Sequence, residues 1–376
     1  MKKVLILGGG VGGTIVANIL ARKTSSEEVK ITLLDANEKH IYQPGFIYVA
    51  FGNEKPENLI KEERKLLNKK VEFVVDEATK VDTSAKRVTT KTGRVFDYDY
   101  LVMATGAKLH PQELPGYEDA HHFYDLESVL KLREALKNFS AGNIVVGIGG
   151  LPYKCPPAPA ESACQLDYIF RKRGLRDKVD IHYLSPLPRV FPIESVSPLI
   201  QKVMESKGIK VTELFNVESI DPKTKTVTSL EGESINYDLL IVVPPHKGTK
   251  IAEDSGLGDR GGWIPTDKRT LKVKGHNDIY AVGDCTDIPT SKAGATAHYE
   301  AKVIAENIAV EVKGEGALKE YDGKVRCFFD AGFKRATTIS FNFEHPPKPI
   351  PLSRHWYWGK MLVGKLYWRV VLKGYG

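Results

Sequence analysis

Two cysteines, Cys155 and Cys327, are the side chains of this sequence best suited to chemistry. They lie 172 positions apart, and neither belongs to a Cys-x-x-Cys pair. Cys155 stands in the proline-rich loop GGLPYKCPPAPAE, and Cys327 stands in VRCFFD, before an aromatic and basic tail. Thiolates are nucleophiles and exchange with disulfides. Two cysteines brought together by a fold would therefore favour sulfur redox chemistry.

The composition sets limits on what holds these cysteines. A length of 376 residues predicts two domains, with room for a short third segment. Four cysteines make no disulfide scaffold, and none of them has the spacing of a zinc site, so no metal is expected. The net charge of +7 is mild. The N-terminus lacks the apolar core of a secretory signal and no stretch is long enough to span a bilayer, so any membrane contact should be peripheral.

The N-terminal segment predicts a nucleotide site. Residues 4–7 form an apolar strand, residues 14–22 a helix, and residues 29–34 a second strand that ends in Asp35. Between the first strand and the helix, Gly8, Gly10 and Gly13 have the G-x-G-x-x-G spacing, and Gly12 is counted with them as a candidate binding residue. Such a loop lets the backbone approach a pyrophosphate at a helix N-terminus, and the acid binds a ribose. The segment therefore predicts dinucleotide binding.

Two later motifs bear on which dinucleotide is bound. One strand ends in Ala104, Thr105 and Gly106, and another ends in Gly283 and Asp284. In this order the motifs resemble the glutathione-reductase-like flavoproteins with two dinucleotide domains. The resemblance implies FAD, with Asp284 bonded to its ribityl or pyrophosphate part. It also implies that a helix over residues 295–308, preceded by Lys292 and Gly294, directs its positive end and a lysine charge at the flavin.

The expected second glycine fingerprint is missing. Residues 143–150 read as the first strand of a second dinucleotide-type domain, but prolines at 152, 156, 157 and 159 follow. Proline removes N–H groups and disfavours helix at the residue before it. The loop that contains Cys155 is therefore not expected to bind NAD(P)H.

The cysteine segments carry a more specific resemblance. Cys155 to Glu161 is similar to the Cys-x-Gly-Pro-x-x-Glu segment of sulfide:quinone oxidoreductases and of the related flavocytochrome c sulfide dehydrogenase flavoprotein, and the Cys327 segment resembles their late cysteine. The resemblance implies a disulfide or polysulfide bridge between Cys155 and Cys327 beside the flavin. Hydrosulfide would attack it, with Cys327 as persulfide acceptor and Cys155 as electron donor. Glu161 is either a proton acceptor or a helix N-terminal acid.

The sequence departs from the family pattern at one position. Many members carry an earlier cysteine bonded to the flavin methyl group, whereas Tyr124 stands at the matching position here. FAD is therefore expected to be noncovalent. Cys164 and Cys285 are interpreted as core residues.

The tail from Arg354 to Gly376 has no acidic residue and holds three of the four tryptophans. Aromatic and cationic residues together suit the lipid headgroup region, which predicts a monotopic anchor on the cytoplasmic side of the cell membrane. A dimer interface, within a homo-oligomer, and a folded-back core helix are the alternatives. Nucleic-acid binding is not expected. Without an NADH loop the electron acceptor would be a membrane quinone, placed by resemblance between Phe328 and Tyr367.

The sequence thus predicts an α/β protein with two Rossmann-like domains and a C-terminal membrane-interface segment. The FAD domain would comprise residues 1–110 and 250–312, the second domain 111–249, and the last segment 313–376. The expected activity is oxidation of sulfide to polysulfide sulfur with quinone as acceptor. Three alternatives stay open: a type II NADH:quinone dehydrogenase, a flavocytochrome-type sulfide dehydrogenase subunit, and a non-enzymatic flavin redox sensor docked on membranes.

Overall fold

A computed structural model describes residues 1–375. Residues 1–110 begin with a strand, a helix and a strand and continue through short strands. The elements are β1 (Lys2–Leu7), α1 (Val11–Lys23), β2 (Val29–Asp35), β3 (Lys39–Ile41), α2 (Phe46–Ala50), β4 (Ile60–Glu62), α3 (Glu63–Leu66), β5 (Val71–Val75), β6 (Ala78–Asp82), β7 (Arg87–Thr90), β8 (Val95–Asp97), β9 (Tyr100–Met103) and β10 (Lys108–Leu109).

Residues 111–249 repeat the alternation of strand and helix. The elements are α4 (Leu126–Asn138), β11 (Gly142–Ile148), α5 (Ala158–Lys172), β12 (Val179–Leu184), α6 (Ser197–Ser206), β13 (Lys210–Thr212), β14 (Val217–Asp221), β15 (Thr226–Ser229), β16 (Ser234–Asn236), β17 (Leu239–Val243) and β18 (His246–Lys247). Strands β13, β12, β11 and β17 form a parallel sheet in that order. This sheet carries α5, and with it the loop of Cys155.

The remaining described residues return to the first sheet and then form the C-terminal segment. The elements are α7 (Lys250–Asp254), β19 (Ile279–Ala281), α8 (Gly294–Lys313), β20 (Val325–Asp330), β21 (Ala336–Phe341), α9 (Arg354–Leu366) and a π-helical turn (Tyr367–Val371). Strand β19 completes a five-stranded parallel sheet of order β19, β9, β1, β2, β5. The mixed α/β class predicted from the sequence is confirmed, while the domain boundaries stay predictions.

The glycine loop packs closely against the ends of β9 and β19. Gly8 has φ +106°, and a Cβ there would lie 2.3 Å from the carbonyl oxygen of Ala104. A Cβ on Gly12 would lie 3.0 Å from Val282, and one on Gly13 would lie 1.9 Å from the carbonyl oxygen of Gly8. Glycine is therefore required where the loop meets the ends of β9 and β19. It also lets α1 begin at Val11, earlier than the predicted residue 14.

The C-terminal segment has two parts with opposite surroundings. Helix α9 exposes Trp358, Leu362 and Leu366, which are spaced by four residues and so share one face. The turn that follows is instead in the core, since Tyr367 is 4% exposed and Leu372 is fully buried. The prediction of a single anchor over 354–376 is wrong for this buried part. Gly376 lies outside the described residues. Within residues 1–375, no helix combines the length and apolar character needed to cross a membrane.

Candidate active site

Gly8, the first glycine of the loop, and Asp35 line a cavity of about 580 Å³. Asp35 accepts hydrogen bonds from the amides of Gly9, at 2.6 Å, and Asn37, at 2.7 Å. Around Gly10 there is open space, because a Cβ built there would meet no atom within 4 Å. Thr105 also lines the cavity, and Gly106 beside it has φ +67°. Backbone amides at a helix N-terminus, next to an unobstructed glycine, suit a pyrophosphate.

Asp284 provides an independent test of whether a dinucleotide fits. Its Oδ1 atom is buried without a hydrogen-bond partner, and a buried acceptor of this kind is costly unless a ligand completes it. Burial raises the pKa of the Asp284 carboxyl, while the ammonium groups of Lys154 and Lys292 oppose that rise. Gly294, at the start of α8, lies against Val11 at the start of α1, so both helix N-termini and Gly283 meet near this carboxylate. The residues present therefore fit a dinucleotide with a hydroxylated chain.

The loop of Cys155 has an unusual backbone held by specific hydrogen bonds. Cys155 has φ +55°, in the left-handed region that residues other than glycine rarely occupy. Its amide donates to the carbonyl oxygen of Lys292 at 2.7 Å, and its own carbonyl accepts from Ala158 at 2.9 Å. Helix α5 begins at Ala158, directly after the two prolines that follow Cys155. The second sheet thus positions the Cys155 thiol next to the segment that follows Asp284.

Lys292 contributes to the site differently from the sequence prediction. Its Nζ donates to the carbonyl oxygens of Asp284, at 3.0 Å, and Thr286, at 2.7 Å. The same ammonium lies 4.0 Å from the ring centroid of Trp263, a cation–π distance. Burial lowers the pKa of Lys292, and the Asp284 carboxylate opposes this. Lys292 therefore braces the Gly-Asp loop and, through its carbonyl, Cys155; its action on a flavin stays a prediction.

Cys327 lies on β20, where it pairs with Ile339 of β21. Cys155 and Cys327 are both free cysteines, and each residue as a whole is of intermediate exposure. Burial raises the pKa of Cys155, and the neighbouring charges of Glu161 and Cys327 add to the effect. Burial and Glu161 also raise the pKa of Cys327 to about 12. The fold thus brings Cys155, Cys327 and Glu161 into one electrostatic environment that disfavours thiolates.

Glu161 is buried in an ion pair that the sequence did not indicate. Its Oε1 accepts from Lys360 Nζ of α9 and from the backbone amide of Asp330. Burial raises the pKa of Glu161, whereas the Lys360 ammonium lowers it. Burial alone would lower the pKa of Lys360, but Glu161, Tyr48 and Asp330 raise it well above its ordinary value. Lys360 therefore stays charged beside the two thiols.

A second buried carboxylate completes this cluster. Asp330 accepts from the Tyr48 hydroxyl at 3.1 Å and from the Gly332 amide at 2.9 Å. No motif in the sequence indicated Lys360, Asp330 or Tyr48 as site residues, and Lys360 was expected to be one of the cations of the anchor. The helical spacing of Trp358, Leu362 and Leu366 was the available signal, because it turns Lys360 toward the opposite face of α9.

The other predicted positions fall in distinct places. Tyr124 is buried and donates to the carbonyl oxygen of Lys154 at 3.0 Å, next to Cys155. Cys164 and Cys285 are fully buried in the core. Phe328 is partly buried near Gly359 of α9.

Tyr367 faces the interior and not an open surface. Its hydroxyl lies 2.6 Å from Nε2 of His40, and its ring centroid lies 4.4 Å from that of Tyr42. The quinone contacts of Phe328 and Tyr367 stay predictions. No group of three or more histidine, cysteine or acidic side chains within residues 1–375 is arranged to hold a metal ion.

Comparison with known proteins identifies the class to which this fold and site correspond. Residues 2–301 match the family model described as pyridine nucleotide-disulphide oxidoreductase, and the chain belongs to that family. The family assignment and the fold together imply a flavin cofactor.

Individual relatives narrow the comparison. The chain is 26% identical over 392 residues to the mitochondrial sulfide:quinone oxidoreductase of Mus musculus, covering 99% of this chain and 87% of the relative. The X-ray structure of the sulfide:quinone oxidoreductase from Aquifex aeolicus superposes with a TM-score of 0.89 at 24% identity, covering 100% of this chain and 92% of that one. The resemblance that the cysteine motifs predicted is confirmed by these matches.

A relative of different activity also matches. The type II NADH:quinone oxidoreductase of Staphylococcus aureus is 27% identical over 341 residues, covering 84% of this chain and 83% of the relative. The sequence identities to the sulfide:quinone and the NADH:quinone oxidoreductase are alike, so identity does not distinguish the two activities. The local geometry around Cys155 has to do so.

Proposed function

We propose that this protein oxidises sulfide to polysulfide sulfur with a noncovalently bound FAD and passes the electrons to a membrane quinone. The observation that supports the proposal is the electrostatic coupling of Cys155 and Cys327 to the buried Glu161–Lys360 ion pair. The fold supplies one cysteine from a helix N-terminal loop and the other from a strand 172 positions away.

The sulfur step follows from the thiol environment. Both cysteines are free in the structure, so the proposed reaction starts after their two-electron oxidation to a disulfide, for which a bound FAD would be the oxidant. Burial disfavours both thiolates, so hydrosulfide is the nucleophile that attacks this disulfide. Hydrosulfide attacks Sγ of Cys327, the bond between the two cysteine sulfurs breaks, and the new sulfur–sulfur bond leaves Cys327 as a persulfide. The released electron pair stays on Cys155 as a thiolate. The Lys360 ammonium opposes the high pKa of Cys155 and so stabilises that thiolate.

Proton handling is assigned to Glu161. Its raised pKa suits a group that must take a proton from the incoming sulfur species and later release it. Lys360 holds the carboxylate in place, and the Asp330 amide donates to the same oxygen. The proton thus stays within one buried cluster.

Flavin binding is assigned to the three glycine-containing motifs. Gly8, Gly10, Gly12 and Gly13 would accommodate the pyrophosphate, Asp35 the ribose, and Asp284 the ribityl chain, with Ala104 and Gly106 closing the pocket. When bound, the flavin supplies a carrier that takes two electrons from sulfur and passes them to quinone. Tyr124 offers no thiol for a covalent bond.

Membrane association is assigned to α9. Trp358, Leu362, Val363 and Leu366 are exposed apolar residues on a helix with basic neighbours, which suits insertion at the lipid headgroup region. Phe328 lies beside this helix, so a long-tailed quinone would reach it from lipid, with the ring of Tyr367 on the far side.

NADH oxidation is the competing activity, and the geometry around Cys155 argues against it. A pyridine nucleotide needs backbone amides at the loop after β11. There the Cys155 amide is already bonded to Lys292, and prolines at 156 and 157 have no N–H to offer.

Anaerobic reduction of the bound flavin tests the proposal. Sulfide should bleach the flavin absorbance within seconds at micromolar protein, whereas NADH at the same concentration should not. Steady-state reduction of a quinone analogue by sulfide should follow. Rapid bleaching by NADH with none by sulfide would overturn the proposal in favour of an NADH dehydrogenase.

A further inference from the structure

A row of four buried side chains joins the C-terminal segment to the glycine loop. The Tyr367 hydroxyl lies 2.6 Å from His40 Nε2, and His40 Nδ1 lies 2.8 Å from Glu63 Oε2. Thr14 donates to the other Glu63 oxygen at 2.6 Å. These side chains are all more than nine-tenths buried, at 4, 3, 1 and 0% exposure from Tyr367 to Thr14.

The direction of the hydrogen bonds follows from the acceptor at one end. A Glu63 carboxylate can only accept, so Nδ1 of His40 carries a proton, and with a neutral imidazole Nε2 accepts from the Tyr367 hydroxyl. Each side chain of the row therefore relies on its neighbour for a hydrogen-bond partner. Without the Tyr367 hydroxyl, a buried imidazole nitrogen is left unsatisfied and the ring is free to turn away from Glu63.

Glu63 lies directly against the glycine loop. A Cβ on Gly9 would come within 3.4 Å of the Glu63 side chain, and Thr14 Oγ1 is also 3.1 Å from the carbonyl oxygen of Gly9. Gly9 in turn donates its amide to Asp35 at 2.6 Å. The row thus ends on the loop whose amides would face the pyrophosphate.

The rest of the C-terminal segment packs along α1 and fixes Tyr367 in place. Asn18 donates to the carbonyl oxygen of Leu372 at 2.8 Å. The Lys373 ammonium donates to the carbonyl oxygen of Leu66, and the Arg22 guanidinium lies 4.5 Å from the ring centroid of Tyr375. Residues 367–375 are therefore a second layer behind the nucleotide-binding helix.

We propose that residues 367–375 are a positioning element of the flavin site, and that Tyr367 acts through His40 and Glu63 to hold the glycine loop in its binding conformation. Retention of FAD then depends on docking of the C-terminal segment against α1. This inference rests on flavin binding at the glycine loop and needs no sulfur chemistry. A protein that failed to oxidise sulfide would still test it.

Release of FAD from the diluted holoprotein, followed by the rise in flavin fluorescence, measures the effect. Tyr367→Phe keeps the ring and removes one buried hydrogen bond, so the release rate should rise about five- to tenfold. Tyr375→Phe is the matched control, because it removes an exposed hydroxyl from the same segment and should release FAD at the wild-type rate. The unfolding midpoint of flavin-free Tyr367→Phe should fall below that of Tyr375→Phe, because a buried imidazole nitrogen loses its partner, so release rates are compared at a temperature well below both midpoints.

A double-mutant cycle separates transmission along the row from general loosening. Thr14→Val removes the far end of the row without touching Tyr367. If the row acts as a unit, Thr14→Val combined with Tyr367→Phe should release FAD no more than about twofold faster than the faster single variant. Rates that multiply would overturn the proposal, as would wild-type release from Tyr367→Phe or equally fast release from Tyr375→Phe.

Discussion

At Glu161 one carboxylate oxygen accepts from both a lysine ammonium and a backbone amide, while two thiols lie nearby. Burial and the ammonium act on the Glu161 pKa in opposite directions, and burial prevails. Under the proposed function, this balance would place a weak base where sulfur species lose and regain protons. Lys360 is the residue to replace in a test of this effect, since it lies on α9 and not on α5, the helix of Glu161.

Replacing Lys360 tests this balance through the pH dependence of flavin bleaching by sulfide. Glu161 acts as a base only when ionised, so its activity is present above its pKa and is lost as the pH falls through that value. Lys360→Met removes the group that lowers the Glu161 pKa, and the acidic limb of the rate profile should move to higher pH. At pH 7 the rate should fall roughly tenfold.

Two further variants control this experiment. Lys365→Met removes an exposed lysine from the same helix and should keep the wild-type profile. Glu161→Gln should abolish the acidic limb. An unchanged profile in Lys360→Met would show that the lysine does not set the protonation of Glu161.

The cysteine pair gives a second prediction at this scale. Cys155→Ser and Cys327→Ser should each retain FAD and lose sulfide-dependent bleaching by about a hundredfold or more, because exchange requires both sulfurs. Cys164→Ser should stay active, since that thiol is fully buried in the core. Stopped-flow absorbance measures all three. Near-normal bleaching in Cys155→Ser would mean that the bridge is misassigned.

Tyr124 gives a third prediction. A buried phenol that donates to the Lys154 carbonyl cannot form the thioether that a cysteine would form at this position. Acid precipitation should therefore leave all the flavin in the supernatant, as measured by absorbance after the pellet is removed. Flavin that sediments with the denatured polypeptide would contradict noncovalent binding and require another attachment residue.

Among the elements, α9 has one buried face and one exposed face. One face turns Lys360 inward to Glu161, and the other exposes Trp358, Leu362 and Leu366. Deletion of the whole tail would remove both faces together with the buried Tyr367, so it would not isolate membrane contact. Point substitutions on the exposed face of α9 can test membrane contact alone.

Leu362→Glu combined with Leu366→Glu should release the protein from anionic lipid vesicles while leaving a single bleaching by sulfide intact. Charged residues do not enter the headgroup region as leucines do, and binding scales with buried apolar area. Vesicle co-sedimentation is the measurement. Leu214→Glu combined with Leu230→Glu introduces the same charges at exposed leucines of the second sheet region and should sediment with vesicles like the wild type.

The sequence predicted those parts of the structure that depend on local pattern. The strand, glycine loop and acid from Val4 to Asp35 were predicted because strand periodicity and glycine spacing are local properties. The inward orientation of Lys360 on α9 and of Tyr367 just after it was not predicted, because composition alone does not show which way a side chain faces. Their partners, Glu161 and His40, lie 199 and 327 positions away.

For the whole molecule, the order of segments in the chain differs from their order in space. Strand β19 lies in the same sheet as β1. The site around Glu161 combines residues of α5, β20 and α9. Local pattern and the family resemblance therefore indicated the two sheets and Cys155, Cys327 and Glu161, but not Lys360, Asp330 and Tyr48, which only the tertiary fold brings to them. The domain boundaries and any homo-oligomer stay predictions.

The hydrogen bond from Asn18 to Leu372 joins positions 354 residues apart and has a consequence for synthesis. On the ribosome, N-terminal parts emerge and fold first. Helix α1 is therefore exposed for most of translation without the segment that covers it, and the nascent glycine loop lacks its support. Ribosome-bound chains arrested before residue 354 should retain less FAD than chains arrested once residue 375 has emerged, which would make flavin loading a late event in biogenesis.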